Sequence, residues 1–420
     1  MILDRFTTRC RVPAALEEVT SIRREREVKP RSVGIDARAV DGIWAAVERL
    51  YRSGIHPAIQ LCVRCRGSVV IDRAIGHARG NGPGDLFGTP KELARPDTPF
   101  NIFSASKAVT AMVIHWLDQR NLLRLDDPVC EYLPEFARHG KENITLRHVL
   151  THRAGIPNVP ADAMDLELLD KPNEIVRLLC DAKPTSIPGR QLAYHAISGG
   201  FVLGEVVRRV AGKDIRALLD QHILQPLGFR WMRYGVSVRD VDRVALSYVT
   251  GPPQLPIVPI ALRRALGVAH EDAVRLSNDP RFLVGIVPAG NVVTTADELS
   301  RFYQLLLNGG ELDGVRIFEP RTIRRATAEQ SYLEFDLTLG LPVRYGMGFM
   351  LGGRWLSFYG PDTERAFGHL GFTNIVSWAD PQRQIAAALI TSGKPLVYPQ
   401  LYYAYDIVRQ IGAAVRRRKR

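Results

Sequence analysis

Ser104 and Lys107 are the residues whose types and spacing point most directly to chemistry. They stand three apart in "FSASKAVTAM", residues 103–112, at the head of an apolar run. Residues i and i+3 of a helix share a face about one turn apart, so a helix starting here brings hydroxyl and amine together. A helix start also presents backbone N–H groups and a dipole that favour negative charge. A lysine in apolar surroundings loses solvation, its pKa falls, and the neutral amine becomes a base able to take a serine proton. The same pair also suits a plain helix start, with serine as cap and lysine snorkelling. Ser-x-x-Lys occurs once in the chain. Ser106 is a competing hydroxyl, but as the immediate neighbour of Lys107 on a helix it faces elsewhere.

Two later stretches carry further candidates. In "SIPGRQLAYHAISGGFVLGEVV", residues 186–207, Pro188-Gly189 makes a turn and Tyr194 precedes a helix. In "AFGHLGFTNIVSWADP", residues 366–381, His369-Leu370-Gly371 leads a strand expected to run through Phe372, Asn374, Val376 and Trp378. Glycine beside a reactive centre lets backbone N–H groups come close to an oxyanion. Taken singly, the tyrosine suits packing and the histidine a structural place.

In that order, Ser-x-x-Lys, a loop tyrosine and His-x-Gly resemble the motifs of the serine β-lactamase/penicillin-binding-protein-like superfamily. The class C-like branch that includes family VIII carboxylesterases is the most similar. The phrases "LDDPVCEYLPEF", "ITLRHVLTHRAGIP", "VVTTADELSRFYQLLLNGGELDG" and "YGMGFML" extend the resemblance over about residues 40 to 412. It implies Ser104 as nucleophile, with Lys107 and Tyr194 sharing a proton network as its activators. It implies an oxyanion hole from the backbone N–H groups of Ser104 and Phe372, and a pocket lined by His369 and Gly371, with His369 hydrogen-bonded to Tyr194. Whether Lys107 or Tyr194 is the base stays open.

The departures from the pattern narrow the substrate. β-Lactamases of this branch carry Tyr-x-Asn and Lys-Thr-Gly, where this chain has Tyr194-His195-Ala196 and His369-Leu370-Gly371. The missing amide removes a partner for an acylamino group, and the missing lysine removes a cation for a substrate carboxylate. The resemblance therefore implies a serine carboxylesterase for small, short-chain carboxylic esters, acting through an acyl-enzyme without cofactor or metal. The alternatives are a β-lactamase, an amide or peptide hydrolase or an acyltransferase with the same Ser-Lys-Tyr site, or a non-catalytic scaffold of this fold.

The elements that must position these residues are legible in outline. "DARAVDGIWAAVERLYRSG" has helical apolar spacing at Val40, Ile43, Trp44, Val47 and Leu50. Residues 57–78 read as a hairpin turning at Arg66-Gly67-Ser68. "SKAVTAMVIHWLDQRNLL" is apolar nearly all round, as a buried helix is. Thr295 caps a helix with Glu298 three residues on and Gly309-Gly310 as its stop. Between residues 121 and 285, helical segments alternate with loops such as "KPTSIPGR" and "GPPQLPIVPIA". The expected fold is α/β (α+β): an antiparallel sheet flanked by helices, with an inserted mainly helical domain, β-lactamase-like. The expected boundaries are an N-terminal extension over 1–38, an α/β domain from 39–110 plus 286–415, a helical domain over 111–285 and a basic tail at 416–420.

Bulk properties exclude several classes. The 420 residues are 46% hydrophobic and 24% charged, ordinary for a globular protein. The net charge of +12 is mostly arginine, and it is scattered except for the tail. No zinc-finger or RNA-binding signature accompanies it, so nucleic acid is not an expected partner. Cys62 and Cys65 lie i and i+3 on a strand and so on opposite faces, which suits neither redox nor metal chemistry. His148 and His152 have zinc-helix spacing, but no Glu follows the first and no third ligand is evident. G-x-S-x-G, P-loop and dinucleotide fingerprints are absent. No apolar run approaches the length of a membrane span, and the N-terminus lacks a signal-peptide pattern, so the expected compartment is the cytoplasm.

Overall fold

Segments rich in Val, Ile and Ala become strands buried on both faces, the setting in which β-branched and small apolar side chains pack best. The computed structural model describes residues 7–158, 165–254, 263, 267–396 and 401–417. Among them the main sheet contains β1 (Thr20–Ile22), β2 (Ala58–Cys65), β3 (Ser68–Arg79), β4 (Ser331–Asp336), β5 (Leu341–Tyr345), β6 (Met350–Leu351), β7 (Phe367–Gly371), β8 (Ile375–Asp380) and β9 (Ile385–Thr391). Their order is β1-β3-β2-β9-β8-β7-β6-β5-β4, and a short strand at Glu92–Leu93 joins β3. All these pairings are antiparallel. The ladder from Ile385–Cys65 to Thr391–Ile59 joins strands from the two ends of the chain into one sheet.

Helices cover both faces. They include α1 (Ala37–Arg52), α2 (Ser106–Gln119), α3 (Ser198–Ala211), α4 (His270–Ser277), α5 (Ala296–Leu307) and α6 (Leu401–Ala414). Helices α1 and α6 pack together in one core, and α2, α3 and α5 lie in the other. Cys62 belongs to one core and Cys65 to the other, so the two thiols do face apart.

Local chemistry explains the turns. Arg66 and Gly67 both have positive φ, 52° and 85°, and Cys65 pairs with Ser68 across a two-residue hairpin loop. The N-terminal segment adds the edge strand β1 and docks by ion pairs of Arg26 with Asp297 and of Arg73 with Glu27. The Thr295 side chain caps α5 by accepting from the Glu298 N–H at 3.2 Å. The Glu298 carboxylate instead ties down the backbone N–H groups of Arg230, Trp231 and Met232.

One expectation is overturned. Residues 366–381 form two strands, and His369-Leu370-Gly371 ends the first of them. Thr373 and Asn374 have φ of 42° and 55°, which reverses the chain so that Gly371 pairs with Ile375. Phe372 therefore sits in a hairpin turn. Residues 255–261 of "GPPQLPIVPIA" and residues 418–420 of the basic tail lie outside the described residues.

Candidate active site

A small three-stranded sheet delivers Ser104. Phe100–Asn101 pairs with Val292–Thr294, and the Ile102 N–H donates to the Val292 carbonyl at 3.0 Å. The Asn101 Oδ1 then accepts from the Phe103 N–H at 3.2 Å. Phe103 has φ of 48°, a left-handed conformation that bulky side chains rarely adopt and that costs energy to hold. The result is a single 3-10 turn, Phe103–Ala105, which presents Ser104 ahead of α2. Helix α2 is buried at every position from Ser106 to Asp118, the wall its apolar sequence foretold.

Lys107 is one turn on and points back at the serine. Its Nζ donates to Ser104 Oγ at 3.1 Å, to the Ala196 carbonyl at 2.7 Å and to the Ala289 carbonyl at 3.1 Å. Three acceptors satisfy three N–H donors, and none of them is a carboxylate. Burial therefore acts unopposed and lowers the lysine pKa to about 7. The Tyr194 hydroxyl hydrogen-bonds Ser104, and burial raises that phenol above its ordinary value. The Tyr194 ring lies under the ammonium, 4.8 Å from Nζ to its centre. One hydroxyl thus faces an amine that readily loses its proton and a phenol that keeps its own.

The remaining sequence candidates fall as follows. Ser106 Oγ accepts from the Val292 N–H at 2.9 Å and is fully buried, so it holds backbone and lies away from Lys107. His369 is buried near Lys107, but its Nδ1 is bonded to the Leu370 carbonyl at 2.7 Å. Its ring centre is 6.3 Å from that of Tyr194. The expected hydrogen bond between these two side chains is not formed. Gly371 approaches the turn that carries Ser104 so closely that a Cβ there would run into the Ile102 carbonyl oxygen. The Phe372 and Phe103 rings meet at 5.4 Å, which brings the two turns carrying the candidate oxyanion N–H groups side by side.

Two supporting residues were not placed at the site from the sequence. Asp336, fully buried on β4, accepts from the Tyr194 N–H at 3.1 Å and from the Tyr345 hydroxyl at 3.2 Å. His152 packs at a tilt against Tyr194, with ring centres 4.6 Å apart, and accepts from the His195 N–H at 3.2 Å. Its partner in the zinc-like pair, His148, accepts from the Thr145 N–H in a capping box. Among the described residues no group of His, Cys, Asp and Glu could hold a metal. The only local signal for His152 was that spacing, and its ring packs against the tyrosine instead.

Two spaces lie in this region. A cleft of about 110 Å³ touches Ser104 and is lined by Phe103, Ile197, Phe282 and Phe372 among others. A larger groove of about 750 Å³ runs from Leu370 and Gly371 along β5 to the start of α6, with mostly apolar walls.

A family model described as Beta-lactamase matches residues 44–407. The chain belongs to the beta-lactamase family. It is 30% identical over 340 residues to the esterase/beta-lactamase LipL of Mycobacterium tuberculosis, an alignment covering 76% of each chain. A penicillin-binding protein homologue from Caulobacter crescentus superposes with a TM-score of 0.76 at 28% identity, over 91% of this chain and 99% of that one. A family VIII carboxylesterase superposes at 0.75 with 25% identity, over 89% and 98%. The antiparallel sheet flanked by helices is thus the beta-lactamase-like fold, and this member of the beta-lactamase family is an enzyme, a serine hydrolase.

Proposed function

We propose that the protein is a serine carboxylesterase that cleaves small, uncharged esters through an acyl-enzyme on Ser104. The observation that carries this reading is the Lys107 ammonium, 3.1 Å from Ser104 Oγ and without a carboxylate partner. Near neutral pH the amine is free to accept the serine proton as Oγ attacks the ester carbonyl. Backbone N–H groups of Ser104 and Phe372 receive the developing oxyanion. As the tetrahedral intermediate collapses, Tyr194 gives its proton to the departing alkoxide and recovers one from Lys107. Water then repeats the sequence against the acyl-enzyme.

The shapes of the two spaces support the substrate class. The cleft at Ser104 has room for about four groups the size of a water molecule, which suits a short acyl chain. A groove with mostly apolar walls begins at Leu370 and Gly371, next to the Phe372 turn, and suits an uncharged alcohol. No lysine stands at residue 369 to bind a substrate carboxylate. LipL carries both activities in its name, so the ester is tested against the lactam directly.

The test is a p-nitrophenyl ester panel, acetate to octanoate, run beside a chromogenic cephalosporin. Turnover of the short esters, far above that of the cephalosporin, is expected. Cephalosporin turnover without ester turnover would make the protein a β-lactamase. Failure of a fluorophosphonate to label Ser104 would remove the nucleophile altogether.

A further inference from the structure

Lys394 follows β9 in "TSGKP" and is fully buried. Its ammonium donates to the Thr391 carbonyl at 2.6 Å and lies 4.9 Å from the centre of the Phe103 ring. Its own carbonyl accepts from His270 Nε2 at 2.8 Å. The His270 ring packs on Phe372 at 5.4 Å, and Phe372 packs on Phe103 at 5.4 Å. Lys394, Phe103, Phe372 and His270 therefore close a ring of contacts behind the site. Phe103 precedes Ser104 in the chain, and Phe372 carries the second candidate oxyanion N–H. A further tether reaches the same hairpin, since Thr391 Oγ1 donates to the Asn374 carbonyl at 3.3 Å.

Packing alone does not explain a lysine in this place. Among the described residues no carboxylate pairs with it, and burial pushes its pKa down to about 7. Its charge also helps to lower the pKa of buried His56 nearby. An apolar side chain of similar length would fill the space without desolvating a cation. What the ammonium does hold is the ring of Phe103, whose left-handed backbone needs support from its surroundings.

We propose that Lys394 is a positioning residue for acyl transfer, its ammonium fixing the Phe103 turn and its carbonyl, through His270, fixing the Phe372 turn. Lys394 acts through these two residues, and the inference rests on the reading of Ser104 as nucleophile.

The test uses the full chain with Lys394→Met, which keeps length and apolar volume but removes the charge. The readouts are the rate of Ser104 labelling by a fluorophosphonate, kcat and KM for p-nitrophenyl acetate, and Tm. Labelling and kcat are expected to fall about 10- to 100-fold, the range for mispositioned oxyanion donors. KM should stay within twofold and Tm should be equal or higher. If Lys394→Met does not fold, His270→Leu cuts the other link while leaving the lysine, and the same loss of kcat and labelling is expected. Labelling and kcat within twofold of wild type in the folded variant overturn the proposal. A loss that only tracks the amount of folded protein overturns it as well. An unlabelled wild type instead overturns the assignment of Ser104 itself, a separate and visible outcome.

Discussion

The Ala196 carbonyl oxygen accepts a hydrogen bond from Lys107 Nζ at 2.7 Å. Ala196 occupies the third position of the tyrosine motif, where the related lactamases carry an asparagine side chain. Backbone here helps to order the lysine, with the Ala289 carbonyl at 3.1 Å as a second acceptor. Because both acceptors are neutral, the lysine is aimed without a carboxylate to hold it as a cation.

That arrangement fixes a pH dependence. Burial lowers Lys107 to about 7, so the amine is protonated and inert below that pH and free above it. kcat/KM for a p-nitrophenyl ester should rise with pH through about 7 and then level. The nearby histidines do not add a second step, since burial drives His369 to about 3, His195 to about 4 and His152 well below its ordinary value. Lys107→Arg, which stays charged, should lose roughly 10³-fold in kcat and show no such limb. A flat wild-type profile from pH 5.5 to 8.5 would contradict Lys107 as the base.

The two serines separate chemistry from structure. Ser104→Ala should abolish both fluorophosphonate labelling and ester turnover while leaving Tm near wild type. Ser106→Ala should do the reverse. It orphans the buried Val292 N–H, a loss of about 1–3 kcal/mol in stability, and the folded fraction should still be labelled at Ser104. Thermal melts and peptide mapping of the labelled protein read both halves.

How much of this was legible depended on the range of each contact. Ser104 and Lys107 sit within one helical turn, so spacing alone brought them together. Helix α2 showed its burial in an unbroken apolar run. Asp336 meets Tyr194 across 142 residues and Lys394 meets His270 across 124, and nothing local in the sequence encodes either contact. The Phe372–Asn374 turn was hidden because Phe and Thr favour strands and no Gly or Pro follows Gly371 until Pro381.

Gly371 offers a probe of the distance between the two turns. An alanine there would meet the Ile102 carbonyl and the Ile375 side chain, the latter at 2.8 Å, so the hairpin must retreat from the nucleophile. Gly371→Ala should lower kcat at least about tenfold, since small displacements of oxyanion donors are costly. KM for a small ester should change much less, because Phe103, Ile197 and Phe282 of the cleft lie outside that hairpin. Unaltered kcat in a folded Gly371→Ala protein would mean that the Phe372 N–H takes no part.

The two buried lysines leave a signature in stability that is independent of turnover. Burial lowers both Lys107 and Lys394 to about 7, against about 10.4 in an unfolded chain. Between these values the unfolded chain binds more protons than the folded one, by up to about two, so stability rises with pH. The penalty is fully present below about 7 and is relieved on the way up. Measurement belongs between pH 7 and 8.5, because Cys10 and Cys180, raised by burial to about 12 and 11, contribute the opposite slope once unfolded thiols ionise. Tm should climb over that interval in wild type. Lys394→Met should climb less steeply and start from a higher Tm at pH 7. A wild-type Tm that falls from pH 7 to 8.5 would show that the lysines remain charged in the folded protein, and Lys107 would then be unfit for its role as base.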